Sequence, residues 1–289
     1  MRKPAAPLSL GLWAAALLWL GASFPAGHAF GQTAEEPAPA PCPSPEAVAA
    51  SFRPGEAFKY RASWSWFSHA GDMAIEVSLD RTHPKFFRIV TTVSTQGPIR
   101  WFHKIDNRVE SLLLANPLRI HSTATVSAEG KRRGDDITTF DHEAGVARFT
   151  DRLRPEKSKT EPIDHPCLLD IMSGVLRVRG MPMEPGDVQA ILVHSDGEKY
   201  LLTLHAEKVE KIKTPLGAFE ALRVQPRMDF NPKGFFRRKG KLWIWYSLDE
   251  RRLLLRIKTK LKIGAAVATL VEYTPPSSEE VDTGPPASP

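Results

Sequence analysis

Along much of this chain apolar and polar residues take turns. Phe58, Tyr60, Ala62, Trp64 and Trp66 alternate with Lys59, Arg61, Ser63 and Ser65, a period of two that gives a strand one dry face and one wet face. Less regular versions recur at 71–80, 86–95, 103–114, 118–127, 188–194, 199–213, 218–230, 235–247, 252–262 and 265–273. Turn residues separate several of them: Ala70-Gly71-Asp72, Thr214-Pro215-Leu216-Gly217, Asn231-Pro232-Lys233-Gly234 and Ser247-Leu248-Asp249-Glu250. Short connections between successive strands predict an antiparallel meander, and strands longer than about ten residues coil rather than lie flat.

The period changes once. After Asp164-His165-Pro166, the apolar residues Leu168, Ile171, Met172, Val175 and Leu176 recur at helical spacing as far as Gly180. This predicts a helix capped by Asp164 and stopped by Gly180 and Pro182. A single helix cannot cover about ten strands, so the sheet must curl on itself or leave a concave apolar surface. The predicted fold class is mainly β: a strongly curved antiparallel sheet, half-barrel or barrel-like, with one central helix.

The N-terminus reads as an address. Arg2 and Lys3 precede the apolar run from Leu8 to Leu20, and small residues lead to Ala26-Gly27-His28-Ala29. Residues 1–29 therefore form a secretory signal cleaved after Ala29, with an apolar run too short to span a bilayer. Residues 30–45 are a Pro/Ala-rich linker, 46–274 a single β-rich domain and 275–289 an acidic tail, the linker and tail offering little to bury. The expected compartment is the periplasm. Over the whole chain 39 Lys and Arg face 33 Asp and Glu, a net charge of +6. The signal, linker and tail together carry more acid than base, so the body is more basic still. An anionic partner fits: lipid headgroups or an envelope polymer, with nucleic acid set aside by export.

Export also changes the reading of the two cysteines. An oxidising compartment allows a Cys42–Cys167 disulfide tying the linker to the core; the alternative is two thiols, Cys42 exposed and Cys167 buried under the helix. Cys42, within Pro39-Ala40-Pro41-Cys42-Pro43, is not placed for lipid attachment.

Three stretches carry a family resemblance. Asp170-Ile171-Met172-Ser173-Gly174-Val175-Leu176-Arg177-Val178-Arg179, then Thr214 to Ala221, then Leu242-Trp243-Ile244-Trp245-Tyr246-Ser247-Leu248-Asp249-Glu250-Arg251-Arg252, together resemble an exported bacterial family, domain of unknown function 3108. Phe58-Lys59-Tyr60 with Trp64 and Gly71 is similar to that family's first hairpin. Where the family carries a proline after the final strand turn, this chain has Leu253-Leu254, a departure expected to touch a loop more than the core. The resemblance implies export and a β-rich fold, and no catalytic residues.

Chemistry-bearing motifs are few. His165, Cys167 and Asp170 cluster at the expected helix start, but helical spacing sends His165 and Cys167 to different faces. Nine histidines are scattered without His-Glu-x-x-His spacing, so no metal is expected, and no phosphate loop, dinucleotide fingerprint or Gly-x-Ser-x-Gly elbow occurs. Gly134-Asp135-Asp136-Ile137 reads as a hairpin turn. No cofactor and no catalytic residue are expected.

Two features point outward or to a ligand. Phe235, Phe236, Arg237, Arg238 and Lys239 lie in a strongly basic turn that can meet an anionic membrane surface, or form a wet strand face with its aromatics packed inward. Trp64 and Trp66, and Trp243 and Trp245, each share a strand face and can line a cleft or fill a core. The leading expectation is an exported periplasmic binding or carrier protein for a hydrophobic, lipid-like ligand, with Trp64, Trp66, Met172, Trp243 and Trp245 as its lining. The alternative is a structural or interaction protein of the cell envelope with a solid β core.

Overall fold

The computed structural model describes residues 38–228, 241–260 and 264–277. Among the described residues, fifteen strands join in one sheet. They are β1 (Ala57–Trp64), β2 (Phe67–Leu79), β3 (Phe86–Thr95), β4 (Ile105–Leu114), β5 (Arg119–Glu129), β6 (Arg132–Asp141), β7 (Val146–Asp151), β8 (Lys159–Pro162), β9 (Leu169–Asp170), β10 (Val188–Ser195), β11 (Glu198–Thr214), β12 (Gly217–Arg227), β13 (Lys241–Ser247), β14 (Leu254–Lys260) and β15 (Ala265–Thr274). Strands adjacent in sequence pair antiparallel, apart from β8 and β9, which are not paired, and β9 and β10, which run parallel. β1 and β15 pair at a seam between the two halves of the meander. The free edges, β8 and β9, therefore come from mid-chain.

The sheet curls without closing. Register shifts at Lys59/Tyr60, Ala62/Trp64, Leu112/Leu113, Ala206/Lys208 and Trp245/Tyr246 bend the strands and sharpen their twist. The β5–β7 flank folds over the second face of β10, where Ile120, Phe140, Ala147 and Leu168 pack with Leu192. β10 is thus covered on both sides, since Ile191 and Val193 belong to the main core.

That main core surrounds a short helix. Helix α3 follows α1 (Pro45–Ser51) and α2 (Gly97–Phe102) and spans Ile171–Arg177, with a 3-10 turn at Val178–Gly180. Its Met172 and Leu176 are buried among Phe58, Tyr60, Ile75, Ile244 and Leu255. Gly174 lets it lie close on β10, because a Cβ there would come within 3.0 Å of Val193 Cγ1. At Gly180 a Cβ would meet Ala47 O at 2.2 Å, so glycine is what allows α1 to pack against the 3-10 turn. Tyr246 Oη donates to Val175 O at 2.9 Å and Tyr60 Oη to Leu254 O at 2.9 Å, which satisfies two phenols inside the core.

Several expectations need correction. The described residues hold three α-helices, not one central helix. The mid-chain helix is capped by Asp170, which accepts from Met172 N at 2.9 Å and Ser173 N at 3.2 Å, whereas Asp164 pairs with Lys199. The first hairpin turns at Ser65, whose φ is 53°, while Gly71 lies inside β2. Asp135 and Asp136 sit within β6, not in a turn. β6, β7 and β8 go beyond the strands that periodicity predicts. Leu253 and Leu254 are fully buried, so the departure from the family pattern lies in the core.

At the helix-filled end of the sheet a buried ion pair ties these parts together. Arg179 Nη1 and Nη2 donate to Glu56 Oε2 at 2.6 Å and Oε1 at 2.8 Å, and both side chains are wholly buried. The remaining donations go to the carbonyls of Ser51, Arg251 and Arg252. Arg179→Met, which strands the Glu56 carboxylate in the core, should cost about 3–5 kcal/mol in urea unfolding, with Arg179→Met/Glu56→Leu recovering part of it. Met172→Asp should cost more than about 4 kcal/mol and leave no cooperative transition; a variant unfolding at the wild-type midpoint would contradict the placement of α3.

Candidate functional site

The strand registers define two ends with different chemistry. One end is stopped by α1, the 3-10 turn and the linker. Ala40 N donates to Ala190 O at 2.6 Å along β10, and Cys42 and Cys167 form a disulfide with Cα atoms 5.5 Å apart. A small pocket beside this disulfide, lined by Pro41, His165, Arg177 and Ile191 among others, has room for little more than a water molecule.

The opposite end carries the β1–β2 turn, the β3–β4 connection, the β5–β6 turn and the ends of β13 and β14. Trp64 pairs there with Phe67 and with Ala266, Thr95 with Gly71, Glu129 with Arg132, and Lys241 with Lys260. Trp66, at the tip of the first hairpin, is 78% exposed; Trp101 and Phe102, on α2, are 85% and 86% exposed. Helix α2 is held from behind, with Ile99 buried. Arg100 forms a bidentate pair with Asp106 at 2.7 and 2.9 Å and donates to Thr95 O at 3.1 Å. Pinning residues 99 and 100 turns 101 and 102 outward. Aromatic exposure on this scale at one end is what a surface contact needs and a solvated loop does not.

Between the ends, the inner face of β3–β7 becomes polar. Thr91, Asn107, Ser111, Asp136, Thr138 and Asp151 are all buried. Asp136 lies opposite Thr125 and opposite Asp151. Burial first, and then the Asp151 charge, push its carboxyl up to about 6. Asp151 is spoken for by its own turn, accepting from Leu153 N, Arg154 N and Arg154 Nε. Across from this flank, the His194 ring packs edge-on against Phe140 at 5.1 Å, and its Nε2 is buried without a hydrogen bond. Burial and the Lys159 and Lys199 charges push it down to about 4. These are structural roles inside an overlap of sheet layers: an imidazole that stays neutral above about pH 4 and a buried carboxyl that ionises only above about pH 6.

The residues singled out in the sequence are dispersed. Met172 is core. Trp64 faces inward beside Ala266 at the open end, and Trp66 sits in solvent on the turn. Trp243 and Trp245 lie on the face of β13 turned away from Ile244 and Tyr246, opposite Lys258 and Arg256, where Trp245 is nonetheless buried as part of the main core cluster with Trp243 packed against it and Trp245 Nε1 donates to Glu210 Oε1 at 2.7 Å. The four tryptophans do not meet around one cavity. Phe235, Phe236, Arg237, Arg238 and Lys239 lie outside the described residues. Among the described residues no helix is long and apolar enough to cross a membrane and no group of three or more His, Cys, Asp or Glu is placed to hold a metal. Trp101 and Phe102 were not legible as site residues, because two adjacent aromatics before a His-Lys pair carry no period.

Comparison with known proteins adds fold and family. The model of a family described as "Protein of unknown function (DUF3108)" matches residues 59–271. No curated protein matches the sequence. A crystal structure of a beta-barrel-like protein of the domain of unknown function DUF1849 from Brucella abortus is similar at a TM-score of 0.50 and 7% identity, covering 78% of this chain and 99% of that one. The hypothetical protein CT021 from Chlamydia trachomatis is similar at a TM-score of 0.38 and 8% identity, covering 84% and 98%. At such identities the first likeness speaks to a barrel-like fold alone.

The pH dependence of stability tests the buried pair of titrating groups. Asp136 ordinarily titrates at 3.8 and here near 6; the folded chain holds its proton more tightly, so this group's contribution drains away as pH rises from about 4 to about 6. His194 ordinarily titrates at 6.5 and here near 4; its contribution is present above pH 6.5 and lost as pH falls toward 4. The two slopes oppose each other over one window. Asp136→Asn removes the first, so between pH 4 and 6 its stability relative to wild type should climb by up to about 3 kcal/mol. A pH-independent difference would show that Asp136 ionises normally.

Proposed function

We propose, for a chain that belongs to the DUF3108 family of proteins of unknown function, that it is a non-catalytic interaction protein of the bacterial cell envelope, with a filled β core and a working surface at its aromatic end. The observation that carries this is what occupies the concave side of the sheet. Met172, Leu176, Val178, Met181 and Met183 are buried there in one cluster with residues of β1, β2 and β10–β14, which supports a concave side filled by the protein's own side chains. The competing reading, a carrier of a hydrophobic ligand, requires α3 to move out of that core.

Export is supported by the secretory pattern of residues 1–29 and by the Cys42–Cys167 disulfide, a bond that persists in oxidising compartments. That bond closes a long loop, fastens the linker to the sheet, and leaves the far end of the molecule as the free one.

Native mass spectrometry of the protein exported with its own leader, followed by organic extraction, separates the two readings. The expected result is the mass of the polypeptide alone, unchanged after incubation with envelope lipids. A stoichiometric co-purified lipid would overturn the filled-core reading and establish the carrier.

A further inference from the structure

The interaction reading above leaves the partner open, and the open end of the sheet narrows it. Three large aromatics, Trp66, Trp101 and Phe102, project from two separate connections at that end, each more than three-quarters exposed. They are not a frayed loop. The Trp66 ring lies tilted against Phe67 with ring centroids 5.7 Å apart, α2 is fixed by Ile99 and by the Arg100–Asp106 pair, and Gln96 N ties the start of α2 to Ala70 O at 2.8 Å.

The charge around this tip is positive. Lys131 and Arg132, at the β5–β6 turn, are exposed, as are Lys241 and Lys260. Asp106, the acid beside α2, is already taken by Arg100 and Lys104. Lys241 and Lys260 are directly opposed across the β13–β14 pair, and like charges so placed repel. An anionic plane lying across this end would relieve that repulsion and accept the ring faces at once.

We propose that the open end docks on an anionic bilayer surface, with Trp66, Trp101 and Phe102 inserted at the headgroup level and Lys131, Arg132, Lys241 and Lys260 facing the lipid charge. Tryptophan and phenylalanine rings belong at that depth, and cations on the same face add attraction that salt screens. A protein partner would call for a shaped surface between the aromatics; rings spread over separate connections with cations around them match a plane that adapts to them.

Vesicle flotation of the full exported chain tests this, with vesicles of phosphatidylcholine alone and of an equimolar mixture with phosphatidylglycerol. Wild type should bind the anionic vesicles about tenfold or more tightly than the neutral ones, with the preference shrinking as salt rises. Trp66→Ser/Trp101→Ser/Phe102→Ser should weaken binding by about tenfold or more at an unchanged unfolding midpoint, because these side chains are exposed. Lys131→Glu/Arg132→Glu, a second variant in an exposed turn, should reduce the preference for the anionic vesicles. Wild type that ignores anionic vesicles, or an aromatic variant that binds them as wild type does, would overturn the proposal. With a bare native mass, either failure leaves the filled-core interaction reading standing and directs it to a protein or polymer partner; a co-purified lipid would instead remove that reading itself.

Discussion

The buried Arg179–Glu56 pair is the constraint on which the closed end of the molecule depends. Removing two charges from water costs several kcal/mol each, and in a low-dielectric core the cost is met only when every donor and lone pair finds a partner. Arg179 meets that condition: its donations reach both Glu56 oxygens and three carbonyls, while Tyr273 Oη donates to Glu56 Oε1 at 2.7 Å. Its guanidinium also stands 5.3 Å from the Phe58 ring centroid. The partners come from the end of α1, the approach to β1, the β13–β14 turn and β15, so one side chain fixes the two halves of the meander where they meet. An apolar residue could fill the same volume, but it could not register five main-chain and side-chain acceptors at once.

Closing one end and curling the sheet leaves two mid-chain edges exposed to pairing with other chains. The structure covers them without a continuous ladder. Short β9 lies parallel to β10, and the linker adds the Ala40–Ala190 hydrogen bond along the same strand. On the other flank Lys159 of β8 reaches Glu198 at 3.5 Å, and Lys199 donates to Pro162 O at 3.1 Å. Side chains and a disulfide-tethered strap do here what hydrogen-bonded closure does in a true barrel, which is why the fold is barrel-like and open.

Which parts of this were legible in the sequence follows from what a period can report. Strands with an apolar inner face, such as β1 with Phe58 and Tyr60 or β14 with Leu255 and Ile257, announce themselves by alternation. β6 does not, because its inner face is Gly134, Asp136, Thr138 and Phe140, and a polar inner face erases the contrast that alternation needs. The adjacent acids Asp135 and Asp136 then look like a turn. Helix α3 was visible through its apolar spacing, yet its cap was misplaced, because Asp164 with Pro166 imitates a helix start while Leu169 and Asp170 first complete a short strand pair. For Trp243 and Trp245, alternation correctly puts both on one face but cannot say which; Arg223 opposite Trp245 and Lys258 opposite Trp243 show it is the one turned away from Ile244 and Tyr246.

The aromatic end illustrates the opposite limit, a feature written in geometry and almost absent from pattern. Trp66 belongs to an alternating run, and by period alone it should share the inner face with Trp64. The positive φ at Ser65 reverses the chain before that face continues, and Trp66 goes to the tip. Trp101 and Phe102 are outward because the two residues before them are anchored. With the backbone around it anchored, such a tip does not have to order its main chain to meet a surface. The scaffold of strands, the buried ion pair and the tethered linker thus close one end of the molecule and fix where the aromatic connections of the other end stand.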